Sequence, residues 1–211
     1  MMTDWVTISS LATASGTLVL AVATFASVRS ANRAARATER ALLAGIRPVL
    51  VPSREQDPPE RVGFADGHWL DVGGGRGAAE VTDEAIYLAI ALRNVGRGLA
   101  VLDRWDFYPE RQMGDASHRE PGDFRRLTRD LYVPAGDRGF WQGAFRDTAD
   151  PVFAAARDAI SERRVMTIDL LYGDHEGGQR TVSRFALFPS DERRWVASVS
   201  RHWNLDRSDP R

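Results

Sequence analysis

Asp174, His175 and Glu176 stand side by side in the stretch DHEGG, and no other part of the chain gathers metal-binding residue types so closely. Carboxylates and an imidazole can ligate a metal ion that activates water, so this triplet is the candidate site of a metal-dependent hydrolase. The spacing argues against it. Adjacent residues of a strand point to opposite faces, and in a turn they mostly face water. The H-E-x-x-H helix pattern is absent, and Gly177 and Gly178 oppose a helix, so a hairpin turn is the expectation. GGGRG at 73–77 fails as a phosphate cradle, because Ala78, Ala79 and Glu80 follow where Gly-Lys-Ser/Thr is required. It fails as a dinucleotide fingerprint too, since Glu80 occupies the place of the third glycine or alanine. His68 and His118 fall in expected loops, and His202 on an expected strand has no partner visible from spacing. No G-x-S-x-G elbow is present.

Composition removes whole classes of chemistry. All 28 basic residues are arginine, which excludes Schiff-base lysines, lysine general bases and lysine phosphate loops. The absence of cysteine excludes thiol nucleophiles, disulfides and cysteine-held zinc or iron–sulfur sites. A net charge of −1 gives no reason to expect nucleic acid as a partner. No catalytic residue, metal or cofactor is predicted, and the chain is not expected to be an enzyme.

The elements that would carry any site divide at residue 45. Trp5 to Val28 is a run of 24 residues without a charge, roughly 36 Å as a helix against roughly 30 Å of bilayer hydrocarbon. LVLAVATFASV is apolar all round, although eight of the 24 residues are Ser or Thr. Hydroxyls of this kind can bond the carbonyl one turn back. The start, MMTDW, lacks the positive charge of a signal peptide. Arg29, Arg33, Arg36 and Arg40 follow the span at helical spacing and fall within about 60° of one another. The positive-inside rule then places the N-terminus outside and the rest of the chain in the cytoplasm. The arginine stripe binds anionic lipid or serves only as a topology signal. Trp5 suits the outer interface, and Ala12 with Gly16 forms a small-xxx-small pair. Residues 1–45 are thus expected to form a transmembrane helix (about 5–28) continuing as a juxtamembrane helix to Gly45.

Residues 46–203 read as β-structure. RPVLVPS is a first strand, 53–61 a loop, and FADGHWLDVGGGRGAAE an irregular strand followed by a glycine loop. In EAIYLAIALRNVG, Ile86, Leu88, Ile90 and Leu92 take one face and Tyr87, Ala89 and Ala91 the other. LAVLDRWDFYP follows the NVGRG turn; 109–123 is a polar loop; DLYVPAGDRGFWQGAF is two strands around Pro-Ala-Gly-Asp. DPVFAAARDAISERR is the one helix, with Asp150 as N-cap and Pro151 in its first turn. A hairpin from Arg164 to Phe188 and a last strand around Trp195, Ala197 and Val199 complete eight or nine strands, with 204–211 as a frayed tail. Strands separated by turns, with no βα alternation, predict an antiparallel β-sandwich. Trp141 is read first as core, and alternatively as an exposed anchor for a partner protein.

The helix leading into RPVL, the strand ending in RNVGRGLA, then VPAGD and LLYGDHEGG resemble a broad set of uncharacterised bacterial proteins. Those carry one N-terminal membrane helix and an immunoglobulin-like sandwich with an Asn-x-Gly-x-Gly-x-Ala turn, here Asn94, Gly96, Gly98 and Ala100. The resemblance implies architecture and no activity. The expectation is a membrane-anchored binding or scaffolding module in the inner membrane, with the lipid bilayer and an unspecified protein as partners and the oligomeric state open. The rivals are the hydrolase at 174–176 and an envelope-facing domain in reversed topology.

Overall fold

The computed structural model of the protein describes residues 3–113, 117–191 and 194–206. The side chains of Trp5, the expected interfacial anchor, and Ala12, half of the expected small-xxx-small pair, lie outside the described residues, as do residues 207–211 of the expected tail. The chain forms two compact units that divide between Ala44 and Gly45.

The first unit is one helix, α1 (Thr3–Gly45). Nothing in it interrupts the backbone ladder until Gly45 and Pro48, which end it. Leu18, Val19, Leu20, Val22 and Phe25 are all exposed, and the helix is long and apolar enough to cross a membrane. Thr13, Ser15 and Thr17 donate to the carbonyls of Ser9, Leu11 and Thr13 at 2.8–2.9 Å, which removes the cost of bare hydroxyls in hydrocarbon.

Among the described residues the second unit holds eleven strands, one α-helix and a short 3-10 helix at Pro121–Asp123. In chain order the strands and the α-helix are β1 (Leu50–Pro52), β2 (Glu60–Gly63), β3 (Trp69–Val72), β4 (Arg76–Val81), β5 (Ile86–Asn94), β6 (Ala100–Tyr108), β7 (Arg125–Val133), β8 (Arg138–Phe145), α2 (Pro151–Ser161), β9 (Met166–Gly173), β10 (Thr181–Pro189) and β11 (Trp195–Asn204). Nine strands make one antiparallel sheet in the order β8-β5-β4-β11-β10-β9-β6-β7, with β1 beside β4 on the same edge of β5. The sheet is continuous and curled, not split into two hydrogen-bonded layers. β2 and β3 form a separate hairpin where the sequence suggested a loop and one irregular strand.

Alternation along each strand decides the layers. Ile86, Leu88, Ile90 and Leu92 enter the main core with Met166, Ile168, Leu170, Phe185, Leu187 and Trp195, and each fully buried aliphatic contributes about 2 kcal/mol of gross burial energy. Tyr87, Ala89 and Ala91 face the other way and pack under the β2–β3 hairpin with Phe64, Leu70 and Val72. Helix α2 adds Phe153, Ala156 and Ala159 to the main core, and the Asp150 carboxylate caps it by accepting from Val152 N at 2.9 Å.

Two turns are not hairpins. β5 does not pair with β6, and β7 does not pair with β8; each turn carries the chain between strands that have other neighbours. The supposed tail is also part of the fold to Asp206: Asn204 ends β11, and Leu205 packs with Trp203 and donates its N–H to the Arg180 carbonyl.

Candidate functional site

The turn at Asn94, Gly96, Gly98 and Ala100 is a seat for the segment that follows α1. Asn94 is fully buried. Its Oδ1 accepts from Val49 N at 3.1 Å and Gly96 N at 3.0 Å, and its Nδ2 donates to the carbonyls of Gly98 at 2.7 Å and Val133 at 3.0 Å. The glycines serve close approach. A Cβ on Gly98 would lie 1.7 Å from the Ile46 carbonyl oxygen, and one on Gly96 would lie 2.3 Å from that of Arg47. Neither has positive φ, which corrects the usual turn explanation: among the described residues the positive-φ glycines are 67, 75, 136 and 177. Ala100 opens β6 and is buried in the main core. Arg47, itself buried, donates to Thr181 Oγ1 at 3.3 Å and Asn204 Oδ1 at 2.9 Å and pairs with Asp206.

Trp141 is 0% exposed, edge-on to Trp105 with ring centroids 5.2 Å apart, so it offers a partner nothing to grip. It lies on β8 opposite Ile90, facing the interior.

The DHEGG stretch is the β9–β10 turn. Gly177 takes φ +74°, and Gly177 N bonds the Asp174 carbonyl at 3.1 Å. Asp174 turns inward and accepts from Gly178 N at 2.9 Å and Gln179 Nε2 at 3.3 Å. Burial opposes its ionisation, but these and further turn N–H groups outweigh that and hold its carboxyl below the usual range. His175 and Glu176 point to water with side chains 59% and 69% exposed. Among the described residues no three metal-binding side chains converge.

Two polar clusters were invisible in the sequence because their members come from different strands. Arg184 on β10 and Asp169 on β9 are both fully buried and meet through two bonds of 2.8 and 2.7 Å. Tyr108 and Trp203 lie under the guanidinium, and the Met113 and Ser117 carbonyls accept from it at 3.4 Å. Burial pushes the Asp169 carboxyl up against the opposing pull of Arg184. Burial, then the charges of Asp169 and Asp106, pushes the Tyr108 phenol up to about 12. In the second cluster Ser183 Oγ lies 2.6 Å from His202 Nδ1 and 2.8 Å from Tyr172 Oη, which accepts from Leu50 N at 3.1 Å. A Ser–His contact suggests a nucleophile, but Ser183 is fully buried and no substrate reaches it. His118 packs edge-on against Trp203, and His68 stacks on Tyr87 at 4.0 Å.

A surface groove of about 730 Å³ lies between β3, β4 and the end of α2. Ile160, Ser161, Arg163 and Trp195 line one side. Trp69, Leu70, Asp71 and Glu80 line the other. Arg163 holds a left-handed backbone, φ 54°, just past α2, which costs on the order of 1 kcal/mol for a non-glycine residue. Its guanidinium reaches over Trp195, centroid 5.6 Å away, and donates to the carbonyls of Ser190 and Arg194. Comparison of the chain with family models, with curated proteins and with solved structures finds no match in any of the three.

Proposed function

We propose that this protein is a single-pass membrane protein of the bacterial inner membrane whose β-domain is a cytoplasmic binding or scaffolding module. The N-terminus is outside. The observation that carries the reading is α1: an uncharged, exposed apolar stretch followed directly by Arg29, Arg33, Arg36 and Arg40. An immunoglobulin-like relationship of the β-domain belongs to the same proposal and rests on the Asn94–Ala100 turn. A non-catalytic role fits a surface whose candidate triplet at 174–176 is a hairpin turn.

Cysteine labelling tests the reading, because the chain has no native cysteine. His175→Cys places a thiol on an exposed turn. It is expected to resist a membrane-impermeant maleimide in intact cells and to react after permeabilisation. Replacing the four arginines by Gln is expected to leave insertion intact and to produce both orientations. Labelling of the His175→Cys protein in intact cells reverses the topology, and release of the unaltered protein by alkaline carbonate removes the anchor.

A further inference from the structure

β4 is paired with β5 along Gly77–Val81, but on its other edge it meets β11 only at Arg76 and Gly77. The cause is length: β11 begins at Trp195, while β4 runs on to Val81. Gly75 accepts from Ala197 N, so the hydrogen-bonding side alternates in steps of two and Gly77 faces β11. Ala79 and Val81 then turn their N–H and C=O groups to that same side, where no strand of the described residues pairs with them. This edge is the floor of the groove.

Unpaired edges are normally guarded by charge. The outer edge strand β7 is guarded in this way, with Arg126, Arg129 and Asp130 exposed along it. The open part of β4 is Ala78-Ala79-Glu80-Val81, which carries one charge and small side chains that leave the backbone accessible. A row of backbone donors and acceptors specifies its occupant: an extended polypeptide.

The walls specify the side chains. An added strand presents successive residues to opposite walls. One wall offers Ile160 and Arg163, and the Trp195 ring behind them is buried in the main core. The other offers the Asp71 and Glu80 carboxylates, while the Trp69 ring lies across Gly63 of β2 with Arg61 stacked on it. Glu80 has His68 at 3.5 Å, and Asp71 has no ion pair among the described residues. We propose that the free edge of β4 accepts an extended segment of a partner protein as an added strand, apolar side chains toward Ile160 and cationic side chains toward Asp71 and Glu80. This rests on the reading of the chain as an anchored binding module and names the chemistry of its partner.

The test uses the full chain in lipid nanodiscs, followed by amide hydrogen exchange. The probe is a synthetic peptide, acetyl-Gly-Arg-Val-Arg-Ile-Arg-Val-Arg-Gly-amide. The Ala79 and Val81 amides are expected to exchange readily without peptide and at least about tenfold more slowly at saturation. Asp71→Arg alters an exposed side chain and is expected to weaken binding about tenfold. N-methylation of the peptide at the alternate residues that pair with β4 is expected to abolish protection. Unchanged exchange at Ala79 and Val81 with about 1 mM peptide overturns the proposal. So does binding that survives N-methylation, or an equal affinity when Glu replaces each Arg of the peptide. Protection without peptide, in discs holding two chains, also overturns it and assigns the edge to a second copy. Amides 17–28 in the same samples report the membrane anchor separately. Fast exchange there removes the anchor while leaving the groove result standing.

Discussion

At Gly98 a single methyl group decides whether the chain can pass. The obstacle is the carbonyl oxygen of Ile46, which is backbone and cannot rotate aside. Gly98→Ala is therefore expected to cost about 3 kcal/mol or more, and Gly96→Ala a comparable amount. Asn94→Ala removes both acceptor and donor functions at once, leaving Val49 N, Gly96 N and the Gly98 and Val133 carbonyls without their partner. Buried groups left in this state cost about 1–3 kcal/mol each, so the loss is expected to match that at Gly98. His175→Ala, on an exposed turn, is expected to stay within about 0.5 kcal/mol of the parent. Urea unfolding followed by tryptophan fluorescence separates these cases. A His175→Ala cost equal to that of Gly98→Ala contradicts the placement of both residues.

The β9–β10 hairpin carries a pH dependence whose sign follows from Asp174. Its folded carboxyl titrates below the ordinary range, so its contribution is complete above the ordinary carboxylate pKa. That contribution is lost as pH falls through the lowered value, below about pH 4. The stability gap between the unaltered protein and Asp174→Asn is expected to narrow as pH drops from about 6 to about 2 in thermal unfolding. Asp169, pushed up by burial, contributes with the opposite sign, but it does so in both proteins and cancels. A gap that widens in acid refutes the assignment. The strands themselves were legible where one face is apolar: the two faces of β5, the core-facing residues of β9 and the Asp150 cap can all be read from spacing. Periodicity tells which face a side chain takes and not which strand lies beside it. The Arg184–Asp169 pair, the crossing turns after β5 and β7, and the open edge of β4 are all facts about neighbours. That edge exists only because β11 starts at Trp195.

The separation of the chain into residues 1–44 and 45–211 predicts that the β-domain folds without its helix. A fragment starting at Gly45 is expected to be soluble, with a far-ultraviolet circular dichroism spectrum dominated by strand. A fragment starting at Leu50 lacks Arg47 and the Val49 N–H, and is expected to be less stable by about 3 kcal/mol, read from its thermal midpoint. A helix-dominated spectrum from the longer fragment refutes the division, and equal midpoints refute the importance of residues 45–49. Arg47 also joins the two ends of the domain, since it holds Thr181, Asn204 and Asp206 while standing two residues past α1. In mechanical terms this is a shackle. Tension applied between residue 46 and residue 206 meets this guanidinium, with the Val49–Asn94 and Leu205–Arg180 bonds beside it. Its bonds are non-covalent and re-form when the pull is released. A tether built this way yields first at a replaceable link, ahead of the sheet behind it.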